Sequence, residues 1–328
     1  MLQAFLYTLD PMLMLFLCIA IGYALRKADL LPHDAGKVMA KLITWVFYPA
    51  LSFTAMAKHC TVASLSTHAT NILLSSLCVA VAMGIAFAIA PLFVKKKGAE
   101  RNIYTYALAF ANSAYMGDPL VLALFGDEML SYYKMYCLPI TITIYIWGIS
   151  VLVPHKEGKH NPFKKLLNPP MVAMLLGIVV GLTGLGAHLP SFLVSTLDSL
   201  KGCMGPVAML LVGFTVASYP MREMLSKKSV CVASILRLTA IPAVIIATLF
   251  SLKTLANHAF GLAIDNTVLS LSFFAIATPL GLNTVVFPES FGGNPKTGAS
   301  MALISHALGV LTLPLLYALM TLLLRKVA

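Results

Sequence analysis

Apolar runs of membrane-crossing length fill this chain almost from end to end. A transmembrane helix needs about 20 apolar residues in succession. Ten such runs can be marked, over residues 4–25, 37–57, 69–94, 103–125, 132–153, 170–187, 192–219, 228–250, 262–286 and 297–324. In a chain of 328 residues they leave only short connections. Only 11% of the residues are charged, against about 25% in an ordinary soluble domain, so a soluble globular enzyme is excluded. The expected fold class is an all-α polytopic membrane protein with ten transmembrane helices. The first run has no basic lead and no small-residue cleavage site after it, so it reads as a retained helix, not a signal peptide.

Charge then orients the chain. The formal net charge is +11, which in a soluble protein would suggest nucleic acid. Here the basic residues stand in loops between apolar runs, so no nucleic-acid partner is expected. Fifteen of the 23 Lys and Arg fall in alternate loops on one side, including Arg26, Lys27, Lys95, Lys96, Lys97 and Arg101. The other side receives Lys58, Lys253, Arg325 and Lys326, while Lys41, Lys134, Lys201 and Arg237 lie within runs. Cytoplasmic loops carry the excess of Lys and Arg, so the crowded side is cytoplasmic and both termini are extracytoplasmic, in the cell membrane. The six cysteines, Cys18, Cys60, Cys78, Cys137, Cys203 and Cys231, form no CxxC pair. They are expected as free thiols, with no zinc site, disulfide framework or cofactor.

Landmarks recur in the two halves. Pro11-Met12 corresponds to Pro170-Met171, Leu31-Pro32 to Leu189-Pro190, and Phe53-Thr54 to Phe214-Thr215. Asp118-Pro119-Leu120 corresponds to Thr278-Pro279-Leu280, and all four separations lie between 158 and 161 residues. A fixed offset marks an internal repeat. The expected organisation is a first five-helix repeat over 1–153, a cytoplasmic linker over 154–168 and a second repeat over 169–328. Five spans are an odd number, so the second copy enters the membrane inverted, a common plan among secondary transporters.

Runs 4 and 9 are the most polar and the most interrupted. Run 4 holds Asn112, Ser113, Gly117, Asp118 and Pro119; run 9 holds Thr278, Pro279, Gly281, Asn283 and Thr284. Proline inside a helix removes a hydrogen bond and clashes with the preceding turn, and freed backbone in lipid must be satisfied by protein or by a water-lined cavity. Matched broken helices are the best sequence pointer to a transporter's binding site. Asp118 and Thr278 each precede a proline, so each is expected to cap a half-helix starting there. Two such positive ends would attract an anion. The expected substrate-binding set is Asn112, Ser113, Asp118, Thr278, Asn283, Thr284 and Ser52. Gly117, Pro119, Pro279 and Gly281 form the crossover. Asp118 and His306 are candidates for coupling to protons or sodium.

Simpler readings stand beside these. Pro49 serves as a kink, Ser52 bonds back to its own backbone, and Asp118 is an inert cap. His306 bonds as a neutral ring to a neighbouring helix. Gly177 and Gly181 mark close helix packing, and Asp198 pairs with Lys201 three residues on. A rival class is an intramembrane enzyme, for which Ser300 and His306 are the nearest pair. They are six apart on one helix and face different sides. A ligand-sensing receptor on a transporter fold is the other rival. No GxxxxGK[ST] loop is present to bind ATP.

Six segments in order carry a resemblance: IGYALRKADLLP, VFYPALSF, NSAYMGDP, NPPMVAMLLGIVVGL, GPVAMLLVGFTVA and TPLGLNTVVFP. Together the chain resembles the auxin efflux carrier family in its compact bacterial form. The resemblance implies ten helices as two inverted five-helix repeats, similar to the bile-acid symporter and sodium–proton antiporter folds. It implies secondary active or potential-driven transport of small organic anions, such as auxin-like carboxylates, malate or malonate. It makes Asn112 the substrate-contacting Asn and Pro119 and Pro279 the crossover prolines. The chain departs from plant members in lacking a long hydrophilic loop after run 5. Asp118 stands where many relatives carry an apolar residue. The lipid bilayer is the expected environment, and a homodimer is left open.

Overall fold

The computed structural model describes residues 2–153, 167–260, 264–291 and 295–327. Its main helices are α1 (Leu2–Lys27), α2 (Ala35–His59), α3 (Val62–Phe93), α4 (Ala99–Ala109), α5 (Ser113–Tyr136) and α6 (Leu138–Leu152). They continue with α7 (Pro169–Leu182), α8 (Ser191–Ala217), α9 (Lys228–Leu238), α10 (Ala240–Phe260), α11 (Asn266–Ala277), α12 (Asn283–Phe291) and α13 (Lys296–Val327). Among the described residues, six helical stretches are long and apolar enough to cross a membrane, or seven if the bent pair α5 and α6 counts as one. Among the described residues the only β pairing is an isolated antiparallel bridge between Ala111 and Leu280. The expected linker over 154–168 lies, except for its last two residues, outside the described residues. Of those two, Asn168 caps α7 by accepting from the Met171 amide at 3.0 Å.

In lipid the outer face of a bundle is as apolar as its interior, so burial of apolar surface does little to pull helices together, and small residues let backbones approach instead. Accordingly Leu6, Leu13 and Leu17 of α1 and Leu311, Leu315 and Leu319 of α13 are exposed. The α1–α8 contact is made by a reciprocal glycine pair. A Cβ on Gly22 would stand 2.1 Å from the Leu210 carbonyl oxygen, and one on Gly213 would stand 1.9 Å from that of Ile19. Gly177 and Gly181 of α7 pack as expected, against backbone of α2 at Phe53 and Met56 and of Cys60 just after it.

Helix α5 contains one non-helical residue, Gly126, at φ 81° and ψ −176°. A side chain is strained at such a positive φ and glycine is not. The chain turns back there, so that Tyr133 donates its hydroxyl to the Ser113 carbonyl at 2.9 Å. The six residues expected as a connection between runs 4 and 5 are therefore helical apart from Gly126.

Gly22→Ala and Gly213→Ala should each destabilise the protein by about 1–3 kcal/mol through overpacking against backbone. Gly84→Ala, where an added methyl meets nothing within 4 Å, should be neutral or stabilising. Thermal unfolding of the three purified variants in detergent checks the difference.

Candidate functional site: two crossed helix breaks

The helix breaks fall at Phe110–Asn112 and at Thr278–Leu282. Asn112 and Ser113 favour local hydrogen bonding over helix, and α4 ends at Ala109 with Phe110 extended at φ −115° and ψ 128°. Thr278 is likewise extended, at φ −58° and ψ 152°. Proline at 279 cannot donate an amide, and α12 starts only at Asn283. The two extended segments pair with each other. The Asn112 amide donates to the Pro279 carbonyl at 2.7 Å, and the Gly281 amide donates to the Phe110 carbonyl at 3.1 Å. The Leu280 amide donates to Ser305 Oγ at 3.3 Å. Gly281 eases this approach, since a Cβ there would lie 3.0 Å from the Ala111 carbonyl oxygen, a tight contact.

Two expectations about caps are corrected. Asp118 is not a cap: a π-turn over Ser113–Gly117 leads directly into the helix, and no capping bond is made. Instead its Oδ2 accepts from Lys134 Nζ at 2.8 Å, with both side chains buried. Lys134 also donates to Tyr48 Oη at 3.3 Å and lies 4.4 Å from the centre of that ring. With its charge balanced by an ammonium, Asp118 does not repel an incoming anion as a free carboxylate would. Thr278 starts no half-helix either; it ends α11, and its hydroxyl is buried without a partner. Pro119 thus lies just inside a helix, while Pro279 lies in the extended break. Each docks on a glycine of another helix, Pro119 against Gly205 and Pro279 against Gly309.

Several expected site residues meet at the crossing. Asn112 is 1% exposed, and its Nδ2 lies 3.1 Å from His306 Nε2. His306 Nδ1 lies 2.7 Å from the Ala302 carbonyl. A carbonyl only accepts, so in the neutral ring Nδ1 carries the hydrogen and Nε2 accepts from the Asn112 amide. That leaves Asn112 one amide hydrogen and its Oδ1, which has no partner. Asn283 donates to Tyr106 Oη at 2.9 Å, and the Tyr106 ring lies parallel to that of Trp147 at 6.3 Å between centres. Thr284 bonds to the Gly281 carbonyl at 3.0 Å, and Ser113 is buried beside Asn112. Gly117 accommodates Tyr133, whose hydroxyl would lie 2.0 Å from a Cβ there.

Other residues do not join. Ser52 is buried in α2, and among the described residues no hydrogen bond ties it to the crossing. Ser300 donates to the Lys296 carbonyl, not to His306, so the two form no nucleophile–base pair. Asp198 pairs with Lys201 at 3.0 Å as expected, and Lys201 also meets Asp127 at 2.8 Å. Lys134 was missed in sequence reasoning. It stands 16 residues after Asp118, about 24 Å away on a straight helix, and only the reversal at Gly126 brings it back. Glycine followed directly by Asp127 and Glu128 was the available signal.

Removing one partner from a buried ion pair strands the other charge. Lys134→Met should therefore cost about 3–5 kcal/mol, and adding Asp118→Leu should recover most of that loss. Thermal unfolding of both single variants and the double variant measures the coupling.

Comparisons with known proteins give the family. Residues 7–317 match the model of the membrane transport protein family. An uncharacterised transporter of Methanothermobacter thermautotrophicus is 25% identical over 219 residues, covering 65% of this chain and 69% of that protein. An uncharacterised transporter of Methanocaldococcus jannaschii is 21% identical over 252 residues, covering 76% of this chain and 80% of its own. The chain belongs to the membrane transport protein family, the auxin efflux carrier-like transporters of the lipid bilayer.

Proposed function

We propose that this transporter moves small organic anions, carboxylates such as malate, malonate or auxin-like acids, through the crossing of its two helix breaks. The observation that carries the reading is the pairing of Phe110–Asn112 with Thr278–Leu282. Irregular backbone at membrane depth is tolerated where protein buries it or where it lines a cavity. Around it, Asn112 Oδ1 and Thr278 Oγ1 are buried without partners, and buried polar atoms of this kind call for a ligand or ordered water. Asn112, Ser113, Thr278, Asn283 and Thr284 supply the polar contacts in this reading, with Gly117, Pro119, Pro279 and Gly281 shaping the crossing. Asp118 serves through its pair with Lys134, which anchors the start of the half-helix after the break. Transport is secondary and needs no ATP.

The same reading takes ten spans as two inverted repeats, 1–153 and 169–328, in the cell membrane with both termini extracytoplasmic. The asymmetry of Lys and Arg between alternate loops supports it. In a background without the six native cysteines, Leu2→Cys should react with an impermeant maleimide in intact cells, and Lys97→Cys should not. Labelling at position 97, or protection at position 2, would reverse the orientation.

Purified protein in liposomes should carry at least one of malate, malonate and indole-3-acetate down its electrochemical gradient without ATP. Asn112→Ala should weaken binding of that solute about tenfold, the effect of one polar contact worth about 1.4 kcal/mol. Flux of a cation or a neutral solute alongside none of these anions would overturn the anion reading.

A further inference from the structure

Arg237 lies in the last turn of α9 and is 2% exposed. A guanidinium has five N–H donors and stays charged in proteins. Only one bond is made here, from Nη2 to the Ile276 carbonyl at 2.5 Å, while Nε and Nη1 are buried without partners. Among the described residues no carboxylate pairs with it. The Ile276 carbonyl belongs to the last turn of α11, where the helix end carries partial negative charge, yet a helix end balances only part of a full positive charge. Buried cations in membrane helices are costly and mark substrate pathways or partners.

The guanidinium borders a narrow cavity whose other walls include Phe110 and Ala111 of the crossing, Cys78, Ile140 and Ile245. Its volume is about 20 Å³, room for one water, so a ligand must widen it on entry. A polar face of α3 runs towards it. His68, Asn71, Ser75 and Cys78 recur at helical spacing, all buried, and His68 Nδ1, Asn71 Oδ1 and Ser75 Oγ lack partners. The last of these four residues is a wall of the cavity. Three unsatisfied polar atoms on one helix face, leading to a cavity that an unpaired arginine also lines, form a path that a hydrated anion would follow inward.

We propose that Arg237, in the cavity beside Phe110–Ala111, is the fixed cation that binds the carboxylate of the transported anion. This rests on the anion reading above and assigns its charge recognition to a residue outside the broken helices. The carboxylate would take a free donor, Nη1 or Nε, together with the remaining Nη2 hydrogen, a two-point fork that a planar guanidinium offers and an ammonium does not. Asn112, the residue following Ala111, would then meet the rest of the solute.

Thermal-shift titration of the purified protein tests this, with isobutyrate and malonate as probes and isobutyramide as a neutral isostere of the first. The wild type should be stabilised saturably by at least one anion and not by isobutyramide. Arg237→Met should lose that response. Arg237→Lys, which keeps the charge and its contact with the helix end, should bind about tenfold more weakly; it also serves if the Met variant does not fold. Anion affinity unchanged in Arg237→Met, or in Arg237→Lys where only that variant folds, would make Arg237 an anchor for α11 and nothing more, with anion transport still standing. A wild type that binds isobutyramide and neither anion would remove both the subsite and the anion reading.

Discussion

Backbone amides and carbonyls left free by a broken helix have no water to turn to inside a bilayer. In this protein two breaks solve the problem for each other. Phe110 and Asn112 exchange hydrogen bonds with Gly281 and Pro279, so neither break can persist without its partner. The surrounding choices follow from that mutual dependence. Glycine at 281 eases the approach of the two backbones, and Ser305 of α13 takes the remaining Leu280 amide. Pro279 is tolerated because its missing amide falls where no donor is needed.

Charge is placed with the same economy. Asp118 and Lys134 neutralise each other close to one end of the crossing, while Arg237 stands near the C-terminal end of α11 with donors to spare. One pair is internally balanced and stabilises the folded state only as a pair. The guanidinium has no such partner among the described residues and, in the reading proposed above, is balanced by the carboxylate of the solute. Transporters of charged solutes need this asymmetry, because a site already neutralised has no reason to prefer an ion over water.

The membrane class, the helical architecture and the presence of interruptions in runs 4 and 9 were legible because each rests on local composition and proline chemistry. The positions of the breaks were less so. The X-Pro steps at Asp118 and Thr278 look alike in sequence, yet one proline enters a helix and the other an extended segment. What distinguishes them is tertiary: Asn112 finds a partner strand six residues before Asp118, so the helix can restart early. The Asp118–Lys134 pair was hidden for a related reason. It depends on a reversal at Gly126, and no periodicity links two residues across a turn. Arg237 was visible only as a charge within an apolar run, since its lack of a partner is a property of the packed structure.

The aromatic packing at the crossing has an optical consequence. The chain has two tryptophans. Trp45 is 68% exposed on the outer face, whereas Trp147 lies against Tyr106 and Phe110, at 6.3 and 6.1 Å between ring centres. Tyr106 is bonded to Asn283 at the start of α12, and Phe110 belongs to the first break. One indole therefore stands exposed at the protein surface and the other senses both broken helices. With Trp45 replaced by phenylalanine, the emission of Trp147 becomes a built-in gauge of how the two breaks move against each other during a transport cycle.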